Sequence, residues 1–227
     1  MRAHIISIGD ELLCGDTVNT NATWLAHQLS EKGVDVRRIT VIPDDIDEIA
    51  RTVAAADADI VLITGGLGPT HDDITRFGIA RAVGDELVKN EEAIGFMRRS
   101  YELSEELESM AYLPSSCVPL LNPVGSAPGC LVEHEHRKLF VLPGVPAEMK
   151  AMFDCVLLYL HGSPPHIGWV VSTKPETSIA HVLKEALERF STLKIGSYPR
   201  EGKVRIKLTS PDSDVLDEAV SWLESRV

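Results

Sequence analysis

Two adjacent carboxylates, Asp72 and Asp73, follow the glycine-rich run Thr64-Gly65-Gly66-Leu67-Gly68-Pro69-Thr70. The run comes after Asp59-Ile60-Val61-Leu62-Ile63, an apolar stretch that reads as a buried strand. It precedes Ile74, Phe77, Ile79, Ala80 and Val83, which recur at helical spacing. Glycines let backbone amides approach an anion closely, and a helix N-terminus favours negative charge. Two carboxylates at that point would repel a bare phosphate. A bridging divalent cation resolves the conflict, because hard cations take carboxylate and phosphate oxygens together. The plainer reading is a tight strand-to-helix turn in which Asp72 or Asp73 serves as an N-cap.

The elements around this turn set its position. Ala3 to Gly9 reads as a first buried strand, followed by a polar loop with Asp10, Glu11, Gly15, Asp16, Asn19 and Asn21. Trp24, Leu25 and Leu29 mark a helix ending near Gly33, a suitable residue just past a helix end. Val34 to Ile42 is a second strand, Pro43-Asp44-Asp45 a turn, and Ile46, Ile49, Ala50 and Val53 a second helix. The β-α-β-α-β-α alternation predicts a mostly parallel sheet with helices on both faces. Ligands of such sheets bind beyond the carboxyl ends of the strands. That rule draws Asp10/Glu11, Asp44/Asp45 and Asp72/Asp73 toward one rim, although each pair also suits helix capping.

Residues 86–110 read as charged helix and 113–116 as a loop. Asn122-Pro123-Val124-Gly125-Ser126-Ala127-Pro128-Gly129 is a dense turn segment. Cys130-Leu131-Val132 and Lys138 to Leu142 read as two strands. His134-Glu135-His136 between them reads as a hairpin tip rather than a metal site, since a third ligand is missing. Pro143-Gly144-Val145-Pro146 leads into a helix to about Leu160, with Pro146 in the first turn and Glu148 placed to cap its free amides. His161-Gly162-Ser163-Pro164-Pro165 marks a boundary between domains 1–165 and 166–227. The tail reads as β (168–173), α (176–190), β (193–197), β (203–209) and α (212–226). In its last strand Lys203, Arg205 and Lys207 alternate with Val204, Ile206 and Leu208.

The 227 residues are 44% hydrophobic and carry a formal net charge of −12. A non-specific binder of nucleic acid or anionic membrane is normally basic, so neither partner is expected. Residues 168–227 contain nine basic and nine acidic residues, leaving 13 of the 22 basic and 25 of the 34 acidic ones to residues 1–167. The whole negative balance therefore belongs to the first domain. Cys14, Cys117, Cys130 and Cys155 have no metal-binding spacing and read as reduced thiols of a cytoplasmic protein. No signal peptide or bilayer-length apolar stretch is recognisable.

Several segments together resemble one family. They are Ile8-Gly9-Asp10-Glu11-Leu12-Leu13, Asn19-Thr20-Asn21, Gly65 to Thr75, Asn122 to Gly129, Leu142-Pro143-Gly144-Val145-Pro146 with Glu148-Met149, and Ser197-Tyr198-Pro199. In this order they resemble the CinA-like (competence/damage-inducible protein A) proteins. The first domain of that family belongs to the molybdopterin-binding MoaB/MogA-like superfamily. The resemblance implies an α/β fold, with a three-layer α/β/α first domain and a small α+β KH-type second domain. It also implies a cytoplasmic homodimer and a hydrolase that cleaves ADP-ribose, or a dinucleotide such as FAD, to AMP and a phosphorylated partner. The family's C-terminal domain that deamidates nicotinamide mononucleotide has no counterpart among these residues, so deamidation is not carried over.

The expected cofactor is a divalent cation (Mg²⁺, Co²⁺, Ni²⁺ or Mn²⁺) held by Asp72, Asp73 and Asp44. Asp73, Asp44 and Glu11 are the expected catalytic carboxylates. Gly65, Gly66, Gly68, Thr70, Asn19, Asn21, Asn122, Ser126 and Gly144 are the expected contacts to a small nucleotide substrate. Asp72 stands where the wider superfamily usually carries a basic residue, a departure that fits an added metal ligand. The alternatives are a molybdopterin-binding or adenylylating protein, a non-catalytic nucleotide-binding module, and RNA binding through the KH-like tail, against which the missing Gly-x-x-Gly loop and the absence of net positive charge both count.

Overall fold

Alternate residues of the apolar runs face opposite ways, and both faces find helices to bury them. The computed structural model describes residues 1–227, and the chain divides into two compact units. The first comprises residues 1–30 and 34–162, the second residues 31–33 and 163–227.

In chain order the first unit runs β1 (Arg2–Ile8), α1 (Asp10–Leu13), α2 (Thr20–Glu31), β2 (Asp35–Ile42), α3 (Ile46–Ala54), β3 (Ile60–Thr64) and α4 (Thr75–Val83). It continues β4 (Leu87–Lys89), α5 (Glu91–Met97), α6 (Glu105–Ser109), β5 (Tyr112–Pro114), β6 (Val118–Leu120), β7 (Gly129–His134), β8 (Arg137–Leu142) and α7 (Pro146–Leu157). The main sheet has the order β2-β1-β3-β8-β7-β6. Strands β2, β1, β3 and β8 are parallel, and β7 runs antiparallel to both β8 and β6. The expected mostly parallel sheet is therefore present.

On one face Ile6, Ile8, Val61 and Ile63 pack with Ile49 and Val53 of α3 and Ile79 of α4. On the other, Ile5, Leu62 and Phe140 pack with Leu25 and Leu29 of α2 and Phe153 of α7. Each fully buried side chain of this kind contributes roughly 1.5–3 kcal/mol. Arg137 is buried on the first face and donates to the carbonyls of Val53, Ala54 and Ala56 at 3.0–3.1 Å. It thereby satisfies the orphan acceptors at the end of α3. Glu135, at φ 55° in the β7–β8 hairpin tip, pairs with the same guanidinium.

Four expectations need correction. The polar loop after β1 contains the short helix α1. Residues 86–110 are not one helix: Asn90 accepts from the Ala93 amide and Ser104 from the Leu107 amide, so two separate caps start α5 and α6. The 113–116 segment is not simply a loop, because Tyr112–Pro114 pairs antiparallel with β4, Leu87 opposite Pro114. In α4, Phe77 is exposed while Arg76 is buried.

The second unit is β9 (His166–Ser172), α8 (Glu176–Arg189), β10 (Lys194–Arg200), β11 (Lys203–Ser210) and α9 (Ser213–Glu224). Its antiparallel sheet has the order β10-β11-β9. Val170, Ile206 and Leu208 pack against Ile179 and Val182 of α8 and Leu216 and Leu223 of α9. The chain has no helix long and apolar enough to cross a membrane.

Candidate functional site

The turn after β3 is built on two glycines with positive φ, Gly65 at 115° and Gly66 at 63°. Gly65 donates its amide to the Leu142 carbonyl at 3.1 Å and lies so close to β1 that a Cβ there would fall 2.2 Å from the Ile8 carbonyl oxygen. Farther on, Asp73 accepts from the amides of Gly68 at 2.8 Å and Thr70 at 2.9 Å. The Thr70 hydroxyl lies between the carboxylates of Asp72 and Asp73. Its hydrogen bond is the main reason the exposed Asp72 carboxyl is held below the usual Asp range. Asp73 is thus a brace inside the turn. Of the three glycine amides expected to hold phosphate, those of Gly65 and Gly68 are spent within the chain, which leaves Gly66.

Arg76 lies buried beneath this turn, donating to the carbonyls of Ser109 at 2.5 Å and Gly68 at 3.4 Å. Burial lowers its pKa, and the charge of Asp73 opposes that shift. Sequence reasoning missed Arg76 because helical spacing assigned the inward positions of α4 to apolar residues.

The neighbouring loops supply the other carboxylates. Asp45 caps α3, accepting from the Glu48 amide at 2.7 Å, so the capping reading holds for that member of the pair. Asp44 instead meets α1, accepting from the Asp10 amide at 3.1 Å. Burial pushes the Asp44 carboxyl above the usual range. The Asp10 amide opposes this, and the negative charges of Asp10, Glu11 and Asp72 add to it. Asp10, Glu11, Asp44 and Asp72 therefore do share one rim, without Asp45 and Asp73. They do not make a ready cation site: no three His, Cys, Asp or Glu side chains group so as to hold a metal ion, and Asp73 is turned into its own loop. The donor set of Asp72, Asp73 and Asp44 does not fit a resident cation as these side chains stand.

The pKa shift of Asp44 has a consequence for stability. A folded-state pKa above the unfolded value means that the folded protein holds the proton more tightly. That contribution is fully present below the unfolded pKa and is lost as pH rises through the folded one. Asp44→Asn keeps an acceptor for the Asp10 amide and removes the charge. It should be more stable than the parent at pH 7, by roughly 0.2–0.5 kcal/mol after solvent screening. The gain should vanish once pH falls below the ordinary Asp range, as urea denaturation at the two pH values would show.

A small cleft opens beside this rim, lined by Ser7, Glu11, Asn19, Asn21, Thr64 and Gly144 among others. Asn19 accepts from the Ala22 amide at 3.1 Å, which caps α2, and exchanges hydrogen bonds with the Ser7 hydroxyl. Asn21 donates through Nδ2 to the Gly144 carbonyl at 2.8 Å and to Thr64 Oγ1 at 3.1 Å; Thr64 in turn donates to the Pro143 carbonyl at 2.7 Å. This network fixes which end of the amide is which, and leaves Asn21 Oδ1 buried with no partner.

Asn122 and Ser126 line a different cleft, with Phe96, Arg99, Tyr101 and Pro123. Asn122 accepts from the Val124 and Gly125 amides and donates to the Ala127 carbonyl and to Glu148 Oε2, so its polar atoms are spent holding the turn. Glu148 consequently does not cap α7, contrary to expectation; its N-terminus has no side-chain cap. The expected substrate contacts therefore do not share one cleft: Asn19, Asn21 and Gly144 line one, Asn122 and Ser126 another, and Gly65, Gly66, Gly68 and Thr70 line neither.

A parallel strand core, a glycine turn at its carboxyl ends and a cleft beside that turn define an α/β domain with its candidate site at the strand ends. The family model described as "Probable molybdopterin binding domain" matches residues 4–162, and "FAD synthase, middle domain" matches residues 166–227. A protein of Pyrococcus abyssi is 39% identical over 245 aligned positions, covering 100% of this chain and 97% of its own length. One from Pyrobaculum calidifontis is 44% identical over 211 positions, covering 87% and 80%. The crystal structure of CinA from Thermoplasma acidophilum, described as of unknown function, is 40% identical with a TM-score of 0.68, and the match covers 70% of this chain and 99% of that one. MoaB from Thermus thermophilus, a molybdopterin biosynthesis enzyme, is similar in fold at 17% identity and a TM-score of 0.50, over 70% and 91% of the two chains. The chain belongs to the CinA-like proteins of the MoaB/MogA superfamily.

Proposed function

We propose that the first unit binds a phosphorylated heterocycle of the pterin or nucleotide type in the cleft between α1, the start of α2 and the β8–α7 loop. The observation that carries this reading is the unpartnered, buried Oδ1 of Asn21, a residue that lines that cleft. A buried acceptor without a donor costs about 1–3 kcal/mol, and a ring N–H of a pterin or purine would satisfy it. Gly144, whose carbonyl holds the Asn21 amide, packs against Gly65, so the cleft adjoins the glycine turn and its free Gly66 amide. That amide would then take a phosphate oxygen. The family and the matched FAD synthase domain support such a ligand class. The βαββα order of the second unit supports reading it as a KH-type domain, and the same family reading includes a cytoplasmic homodimer.

Calorimetry with molybdopterin, AMP, FAD and ADP-ribose tests the proposal. Binding of at least one, weakened about tenfold or more in Asn21→Ala while the variant stays folded, is the expected result. Equal binding by both proteins overturns the role of Asn21, and binding of none overturns the ligand class.

Asp44 favours a second reading, hydrolysis of a nucleotide pyrophosphate. Water attacks one phosphorus, the bridging P–O bond breaks, and the water proton passes to a carboxylate. A carboxyl with a raised pKa is better matched to that exchange near neutral pH than an ordinary Asp. Glu11, on the same rim, would orient the water. Divalent cation enters this reading as part of a metal–pyrophosphate substrate. Incubation with ADP-ribose and Mg²⁺, Co²⁺, Ni²⁺ or Mn²⁺ should release AMP, and Asp44→Asn should release about a hundredfold less. No AMP with any of these metals would eliminate the hydrolase reading.

A further inference from the structure

The sheet of the second unit has a bare face. α8 and α9 cover one side, where Val204, Ile206 and Leu208 are buried. On the other side Trp169 is 44% exposed and Tyr198 51% exposed, with ring centroids 6.0 Å apart. Ile167 and Val171 are exposed beside them at 41% and 54%. Arg205 lies 4.5 Å over the Trp169 ring, opposite Tyr198 and Val171 in register. Lys207 stands opposite Trp169 and Lys203 opposite Arg200. None of the three strands carries an acidic residue. The nearest one in sequence, Glu201, sits in the β10–β11 turn and pairs with Arg200.

We propose that this face binds single-stranded nucleic acid. Two exposed rings, 6.0 Å apart and tilted by 48° to one another, offer platforms for unpaired bases, and every base has a π-face to place there. Bases also stack on guanidinium planes, which is the surface Arg205 presents above Trp169. Lys203 and Lys207, on the same face of β11, would neutralise the backbone phosphates. A duplex keeps its bases paired and cannot use the rings. The charge of −12 argues against nucleic acid for the chain as a whole, but it lies in residues 1–167. The second unit is balanced, and this one face is cationic. Counterion release from the phosphates that these cations neutralise makes the binding fall as salt rises.

The test is fluorescence anisotropy of a labelled oligouridylate about 12 nucleotides long with the full chain, at about 50 and 200 mM salt, beside a duplex of equal length. The expected result is saturable binding of the single strand, at least tenfold tighter than of the duplex and weaker at the higher salt. Trp169→Ala should weaken it about tenfold, since stacking one base is worth about 1–3 kcal/mol. Arg205→Gln should weaken it and flatten its salt dependence. Lys184→Gln, an exposed charge on α8, removes the same charge away from this face and should leave binding unchanged. No binding of the single strand, equal affinity for duplex, or a Trp169→Ala protein that is folded and binds as before would each overturn the proposal. Light scattering that finds self-association abolished by Trp169→Ala, with no oligonucleotide bound, would overturn it in favour of an interface between copies.

Discussion

Gly65→Ala is expected to destabilise the first unit by about 2–5 kcal/mol and to abolish ligand binding at the turn. Two costs add. At φ 115° an L side chain is strained, at about 1–2 kcal/mol. The new methyl would also lie 2.2 Å from the Ile8 carbonyl oxygen. That oxygen belongs to the end of a central strand, whose partners are β2 on one side and β3 on the other. It cannot swing away as a side chain would, so β1 and β3 must separate at the rim where Asp10, Asp44 and the cleft are assembled. Forced overpacking of this sort typically costs about 1–3 kcal/mol. Gly84→Ala is the matched control. Gly84 ends α4 at φ 76°, with nothing within 4 Å of a Cβ, so only the backbone cost of about 1 kcal/mol applies. Thermal melts should show a fall of about 5–20 °C for Gly65→Ala and about 3 °C for Gly84→Ala. Equal shifts would mean that the strand ends yield freely and that the glycine is needed for its dihedral angle alone.

The same contrast shows what the sequence could reveal. β3 is legible because Ile60 to Thr64 is buried on both faces, so an unbroken apolar run is its only economical reading. The alternation with helices then determines the parallel core and the rim. Short strands escape such a reading: Tyr112–Pro114 and Val118–Leu120 are three residues each, and both contain proline, which sequence rules treat as a breaker. Arg76 escapes it because a charged residue inside a helix is normally assigned to solvent. Here two carbonyls hold its Nη atoms and the charge of Asp73 lies nearby, while Nε is buried without a partner. Among paired carboxylates, sequence shows the pair but not the division of labour. Asp45 caps and Asp44 faces the rim because only Asp45 can reach the Glu48 amide in an N-cap geometry. Asn122 resembles a substrate ligand for a related reason: an asparagine in a turn has the same composition signature whether its amide faces a ligand or, as here, its own loop.

Asp73→Ala brings the two readings of the glycine turn into direct conflict. A catalytic or cation-binding carboxylate can be removed at little cost to the fold. A brace cannot. Asp73 accepts from the amides of Gly68 and Thr70, and its charge faces the buried Arg76. Alanine leaves both amides without their acceptor and Arg76 without its neighbouring negative charge, at about 2–4 kcal/mol in total. The turn should then open, taking the Gly66 amide out of place, so that binding and stability are lost together. Asp73→Asn keeps one acceptor oxygen but points an N–H₂ group at an amide donor, so about half of the stability loss should remain. Hydrogen exchange would locate the damage, with faster exchange at Gly68 and Thr70 expected in both variants and a graded melting temperature across the three proteins. A different pattern would restore the catalytic assignment: unchanged melting and exchange in Asp73→Asn, with ligand turnover gone. In that case the inward contacts of Asp73 would be a resting arrangement, broken when substrate arrives, rather than the structural purpose of the residue.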